Sequence, residues 1–137
     1  VRAATEADHD RVLDLVGQLG HVFPVNPEAF TESYRFALTD TDRTAVFVAE
    51  SGGDIVGYCL VTMTPLLYSN GLSAQLQEIV TDSATRASGV GTALVRAVEK
   101  LCEEKGVTQL TVASRRAGGF YDRLGYHEAA EYMRRLF

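Results

Sequence analysis

Between Glu78 and Thr92 the chain reads Glu78-Ile-Val-Thr-Asp-Ser-Ala-Thr-Arg86-Ala-Ser-Gly89-Val-Gly91-Thr92. A short apolar strand runs into a loop, and the loop runs straight into a helix. Glycines sit where loop becomes helix, so the main chain can approach an anion without a side chain in the way. The first turn of a helix carries unpaired N–H groups and a partial positive charge, which attract phosphate. Arg86 adds a charge-assisted hydrogen bond. The stretch therefore has what a chain needs to hold a diphosphate by its backbone, with Gly91 leaving room for it. Two other phosphate loops do not fit. A P-loop needs Lys and then Ser or Thr after its last glycine, and here Gly91 is followed by Thr92 and Ala93. A dinucleotide fingerprint needs a glycine or alanine where this chain has Leu94. What remains is Arg-x-x-Gly-x-Gly after a strand, which by itself serves equally well as a tight structural connection.

The rest of the chain narrows the choice. At 137 residues and 46% hydrophobic it is expected to form one domain, residues 1–137, with a real core. Its net charge of −5 argues against nucleic acid and mildly favours a cationic substrate. No apolar run approaches the roughly eighteen residues of a membrane span, and no apolar signal core opens the chain. Cys59 and Cys102 lie far apart in apolar segments, which reads as reduced core thiols in a cytoplasmic protein. His9, His21 and His127 are scattered without ligand spacing, so no metal is expected.

Along the chain, residues 2–4 read as a first strand and Thr5-Glu-Ala-Asp8 as a capping box. Val12, Leu15, Val16 and Leu19 recur at helical spacing up to Gly20. Asn26-Pro27-Glu28 starts a second helix with the stripe Phe30, Tyr34, Leu38. Strands at 44–50 and 55–64 flank the hairpin turn Ser51-Gly-Gly-Asp54. Residues 65–72 read as a loop and 75–81 as a strand. The helix after the glycines has the stripe Val90, Ala93, Leu94, Ala97, Val98, Leu101 and stops at Gly106. A strand at 109–113, a short helix at 120–124 and a final strand at 130–137 complete the order. Antiparallel strands followed by a strand-helix-strand unit predict a mixed, mostly antiparallel α/β sheet with helices on both faces.

That order, with two of its motifs, resembles the GNAT N-acetyltransferases from end to end. Arg86-Ala-Ser-Gly89-Val-Gly91-Thr92 resembles the family's pyrophosphate loop, and Phe120-Tyr121-Asp-Arg-Leu-Gly125-Tyr126 its late Phe-Tyr-x-x-Leu-Gly-Phe signature, in the family's order. The resemblance implies acetyl-CoA as cosubstrate in a split between the fourth and fifth strands. Main-chain groups of Ile79, Val80 and Thr81 would pair with the pantetheine arm, the N–H of Ile79 contacting the acetyl carbonyl. The N–H groups of Ala87, Ser88, Gly89, Val90, Gly91 and Thr92 would hold the diphosphate beside Arg86. Many members carry an asparagine after the fifth strand. This chain has none there, and Ser114 is its substitute.

Amide formation from a thioester needs a neutral amine. A lysine-like amine has a pKa of about 10.4, so at neutral pH about one in a thousand is neutral, a cost of about 4 kcal/mol. Glu78 is the candidate base. Simple alternation groups it with Leu76 and Val80, opposite Gln77 and Ile79. An acid flanked by core-facing residues suggests a lined cleft, although an edge position paired with an arginine accounts for it as well. Tyr121 is the candidate acid for the departing thiolate, its alternative being plain packing beside Phe120 and Leu124. Tyr34, Asp40, Asp42, Glu50 and Tyr68 are candidates for the acceptor site, with specificity expected from the second helix and the 65–72 loop. The expected activity is direct acetyl transfer to a primary amine of a small molecule or a protein. No nucleic acid or membrane partner is expected, and a homodimer stays open. A non-catalytic acyl-CoA sensor would keep the same motifs without turnover, and a purely structural domain would keep only their packing.

Overall fold

Two adjacent left-handed glycines, Gly52 (φ +60°) and Gly53 (φ +86°), close the hairpin between β2 (Thr44–Ser51) and β3 (Asp54–Pro65). That backbone matches the right-handed twist of the strands it joins. The computed structural model describes residues 1–20, 23–114 and 119–137, with only the backbone for 86–88. β1 (Arg2–Ala3) pairs antiparallel with the outer side of β2, and β4 (Leu72–Thr81) pairs antiparallel with β3. β5 (Gln109–Val112) lies parallel to β4, so the chain must cross over through α3 (Val90–Lys105). The sheet order is β1-β2-β3-β4-β5.

Each sheet face has its own core. On one, Val12 and Leu15 of α1 (His9–Val16) and Tyr34 and Ala37 of α2 (Pro27–Thr39) pack on Val46, Val48, Tyr58 and Val80. On the other, Leu94, Val95, Val98 and Cys102 of α3 pack on Cys59, Val61, Met63, Ala74 and Leu76, flanked by Phe120 and Tyr121 of α4 (Phe120–Arg123). The sheet is thus mixed and mostly antiparallel, with helices on both faces. Both cysteines are buried and free, and burial pushes the Cys59 thiol up to about 12, which leaves it unreactive at neutral pH. Among the described residues no helix is long and apolar enough to cross a membrane.

Local signals placed the helix starts. The Asn26 side chain accepts the N–H of Ala29 at 3.0 Å, with Pro27 in the first turn. Three expectations change. The buried stripe of α3 includes Val95 and Cys102, while Ala93 is exposed; the helix is rolled by about one residue where it lies across the sheet. β4 begins at Leu72 instead of Gln75, since its antiparallel ladder with β3 runs to Pro65↔Leu72 and its parallel ladder with β5 to Ser73↔Gln109. Residues 130–137 form no strand, and Tyr132, Met133, Leu136 and Phe137 are exposed. Their apolar residues come in adjacent pairs, so a strand there would bury one of each pair and expose the other. β5, four residues long, also offers little edge to pair with.

The capping box at the first helix carries a testable charge. The Arg2 guanidinium donates to both oxygens of Asp8, at 2.8 and 2.9 Å, and the Thr5 N–H donates to Asp8 Oδ2 at 2.8 Å. The hydrogen bonds from Arg2, and then the one from Thr5, hold the Asp8 carboxyl down at about 2 against their opponent, burial. A folded-state value below the unfolded 3.8 means that this stabilisation is complete above about pH 4 and is lost as pH falls through 2. Urea unfolding midpoints should therefore drop across that window. Asp8→Asn should flatten this part of the profile and lower the midpoint at pH 7.

Candidate active site

The site begins with a fault in the sheet. Along β3 and β4 the pairs run Cys59↔Ile79 and Leu60↔Glu78, then jump to Val61↔Leu76. Gln77 is the extra residue of a β-bulge, and beyond it every side chain of β4 changes face. Leu76 belongs to the core under α3, whereas Val80 lies with Tyr58 in the core under α1 and α2. The expected grouping of Glu78 with both Leu76 and Val80 therefore fails. Glu78 keeps company with Tyr58, whose hydroxyl donates to its Oε1 at 2.8 Å. Tyr58 is 2% exposed, and burial, reinforced by the Glu78 carboxylate, raises its phenol far above the ordinary tyrosine range. It therefore stays protonated and holds the carboxylate as a fixed donor.

The bulge also parts β4 from β5. Their ladder ends at Leu76↔Val112, so among the described residues no strand pairs with β4 on that side from Gln77 to Thr81. A cleft of about 240 Å³ opens there, lined by Glu78, Ile79, Val80, Thr81, Ser114 and Tyr121 among others. Both expected catalytic side chains and the expected pantetheine-facing residues meet in this one cleft. A second, larger cavity of about 530 Å³ lies under α1 and α2, and Glu78 lines it too. Of the five acceptor candidates only Tyr34 reaches it. Glu50 accepts from Arg2 at 2.8 Å, Asp40 from Thr44 at 3.4 Å, and the Tyr68 hydroxyl from Gln109 at 2.8 Å; Asp42 is exposed between α2 and β2. Residues 66–71 line neither cavity. They sit at the far end of β4, where the Ser69 hydroxyl donates to the Gly71 carbonyl at 2.6 Å.

Between β4 and α3 the chain winds through a 3-10 turn, Ser83–Ser88, instead of a plain loop. Asp82 caps it by accepting the Ala84 N–H at 3.3 Å, and Arg11 of α1 donates to Asp82 at 2.7 Å. The Arg11 hydrogen bond keeps the Asp82 carboxyl below its usual value. Gln18, just beyond α1, accepts the Ser83 N–H at 3.0 Å, so together with Arg11 it fixes where this turn begins. Gly89, at φ +80°, caps α3 without a side-chain partner, and a Cβ there would meet nothing within 4 Å. The first-turn N–H groups of Val90, Gly91 and Thr92 have no intrahelical acceptor by helix geometry. This open, positively polarised turn fits a diphosphate.

Gly91 also faces α4: a Cβ there would sit 3.4 Å from the Phe120 ring and 3.7 Å from Thr81 Oγ1, ordinary contact distances. Gly57, not singled out by sequence, is a much closer approach. A Cβ on it would come within 2.9 Å of the Val80 carbonyl and of Val90, which lets the first turn of α3 rest directly on the sheet. The side chains of Arg86, Ala87 and Ser88 lie outside the described residues, as does His21.

Phe120 and Tyr121 divide the work of α4. Phe120 packs over Gly91, while Tyr121 lines the cleft, its ring edge-on to Phe120 (4.9 Å) and to Tyr126 (5.8 Å). The Tyr126 hydroxyl donates to Glu99 of α3 at 2.6 Å, and the Tyr126 N–H donates to the Tyr121 carbonyl at 3.0 Å. Tyr126 thus ties the tyrosine-bearing turn to α3. Its sequence signal was only the last position of the aromatic signature.

Comparison with known proteins agrees with this geometry. Residues 42–128 match the domain model described as Acetyltransferase (GNAT) domain. A glucosamine 6-phosphate N-acetyltransferase from Trypanosoma brucei brucei is 24% identical over 136 residues, covering 98% of this chain and 92% of that protein. Among solved structures, a transcriptional regulator from Bacillus halodurans C-125 has a TM-score of 0.88 at 25% identity, covering 99% of this chain and 97% of that one. A glucosamine-6-phosphate N-acetyltransferase from Arabidopsis thaliana has a TM-score of 0.86 at 22% identity, covering 99% and 96%.

Proposed function

Because the chain belongs to the GNAT acetyltransferase family, and is thus an acetyl-CoA-dependent acetyltransferase, we propose that it acetylates a primary amine by direct attack at the junction of its two cavities. One observation carries this reading. Glu78 lines both the cleft beside the free edge of β4 and the larger cavity under α1 and α2. Acyl donor and acceptor can then approach one carboxylate from opposite sides.

Acetyl-CoA supplies the thioester. The N–H groups at the start of α3 and in the turn before it, from Ala87 to Thr92, hold its diphosphate beside Arg86. Main-chain groups of Ile79, Val80 and Thr81 pair with the pantetheine arm, and Ser114 borders it. The Ile79 N–H polarises the acetyl carbonyl. Glu78 takes the proton that the acceptor amine must lose, directly or through a water. The amine nitrogen bonds to the carbonyl carbon as the carbon–sulfur bond breaks. Tyr121 donates to the leaving sulfur; a phenol near pKa 10 giving its proton to a thiolate near 8.5 runs uphill by about 2 kcal/mol, so hydrogen bonding is the larger part of its help.

The test is release of free CoA thiol with a panel of primary amines, together with CoA affinity in a Gly89 variant. A side chain at Gly89 faces open space, whereas one at Gly91 would also push on Phe120. Gly89→Ala should weaken CoA binding at least tenfold, at a cost of about 1–2 kcal/mol in stability for the left-handed backbone. Unchanged CoA affinity in the folded variant would remove the diphosphate from this turn. Binding of CoA with no thiol release from any amine would mark a sensor, not an enzyme.

A further inference from the structure

We infer that the acceptor is a small primary amine carried on a single apolar body, aryl or alkyl, seated in the larger cavity. The inference rests on the transfer reaction proposed above. The cavity, about 530 Å³, is of ordinary small-molecule size. Its walls are Val12, Val16, Leu19, Phe23, Phe30 and Leu60. Of the polar side chains among them, Ser33 lies exposed on α2, and three others have internal hydrogen bonds. Tyr34 donates to the Thr5 carbonyl at 2.6 Å, the Asn26 side chain accepts the Ala29 N–H at 3.0 Å, and Tyr58 donates to Glu78 at 2.8 Å. Among the described residues lining it, Glu78 is the sole charged side chain, and it stands where the cavity meets the cleft.

This lining selects by charge and by polarity. One ammonium finds one carboxylate at the reacting end, and the body behind it meets hydrocarbon. A sugar phosphate would bring a dianion into a cavity whose described lining offers it no arginine, lysine or histidine. Its hydroxyls would exchange water for apolar walls without partners. A polyamine would bury further cations with no second acid to pair them. The cavity therefore disfavours the acceptor named for the Trypanosoma relative. A peptide N-terminus would bury amide groups against the same apolar walls.

The experiment measures kcat/KM by thiol release at saturating acetyl-CoA, using the full chain. The panel is 2-phenylethylamine, hexylamine, ethylamine, ethanolamine, glucosamine 6-phosphate and a phenylalanine-led peptide amide. The two larger apolar amines should exceed ethanolamine and glucosamine 6-phosphate by at least about tenfold, as several buried methylene equivalents require. Equal rates, a preference for the sugar phosphate, or a preference for the peptide would each overturn the inference while leaving acetyl transfer standing. Turnover of no amine at all would overturn both. A second arm uses Ser33→Trp, at an exposed α2 position on the cavity rim, so that folding is spared. The ratio of kcat/KM for 2-phenylethylamine over ethylamine should fall at least tenfold through KM. An unchanged ratio would show that the apolar body is seated elsewhere.

Discussion

Tyr121→Phe should lower kcat by about 10²-fold or more, with CoA affinity close to that of the wild type and at most a small change in Tm. The structure explains why such a clean separation is expected. The ring of Tyr121 is held by edge contacts to Phe120 and Tyr126, and phenylalanine keeps both. The turn that carries it is tied to α3 through Tyr126 and Glu99, which the substitution does not touch. What is lost is one hydroxyl facing the cleft, and a single hydrogen bond contributes about 1 kcal/mol to stability. A rate loss of two orders with a small thermal shift is the signature of a group that acts on the leaving sulfur. Wild-type turnover in Tyr121→Phe would reduce the residue to packing.

The second large effect concerns Glu78 and pH. Glu78→Gln keeps the shape, and the Tyr58 hydroxyl can donate to the amide carbonyl as it does to Oε1. The variant loses the proton acceptor and, with it, the negative charge that faces the acceptor amine. Near neutral pH, kcat/KM should fall by about 10²-fold, because only amine that is already neutral can react. The neutral fraction of an amine with pKa about 10 rises tenfold per pH unit. The variant's profile should therefore climb steeply with pH and recover much of the lost rate toward pH 10. An equal loss at every pH would assign Glu78 to positioning. No loss would hand proton removal to water or to the substrate.

Sequence reasoning reached far where the signal was local. The Gly52-Gly53 turn, the Asn26-Pro27 helix start and the Gly106 stop each depend on backbone chemistry within a few residues, and each stands where it was read. The glycine turn before α3 and the aromatic signature before Gly125 were legible as motifs, and Glu78 and Tyr121 line one cleft. Local signals failed where a position answers to distant partners. Gly57 carries no signal until the first turn of α3 lies on it. The tail reads as a strand because it is apolar, but pairing is a property of two segments, and β5 supplies too short an edge.

By itself the sequence determined most of the order of elements, the hairpin turn, the start of α2 and the stop of α3. These follow from φ preferences, periodicity and capping, all settled within a turn or two of chain. Tertiary structure alone decided that Glu78 and Leu76 face opposite sides of the sheet. Period-two reading assumes an unbroken ladder, and one extra residue at Gln77 reverses it. That bulge arises from how β3 and β4 register across the sheet, and it sets Glu78 against Tyr58, parts β4 from β5, and opens both cavities to one carboxylate. A long-range register is a balance of many cross-strand contacts, and no window of neighbouring residues contains it.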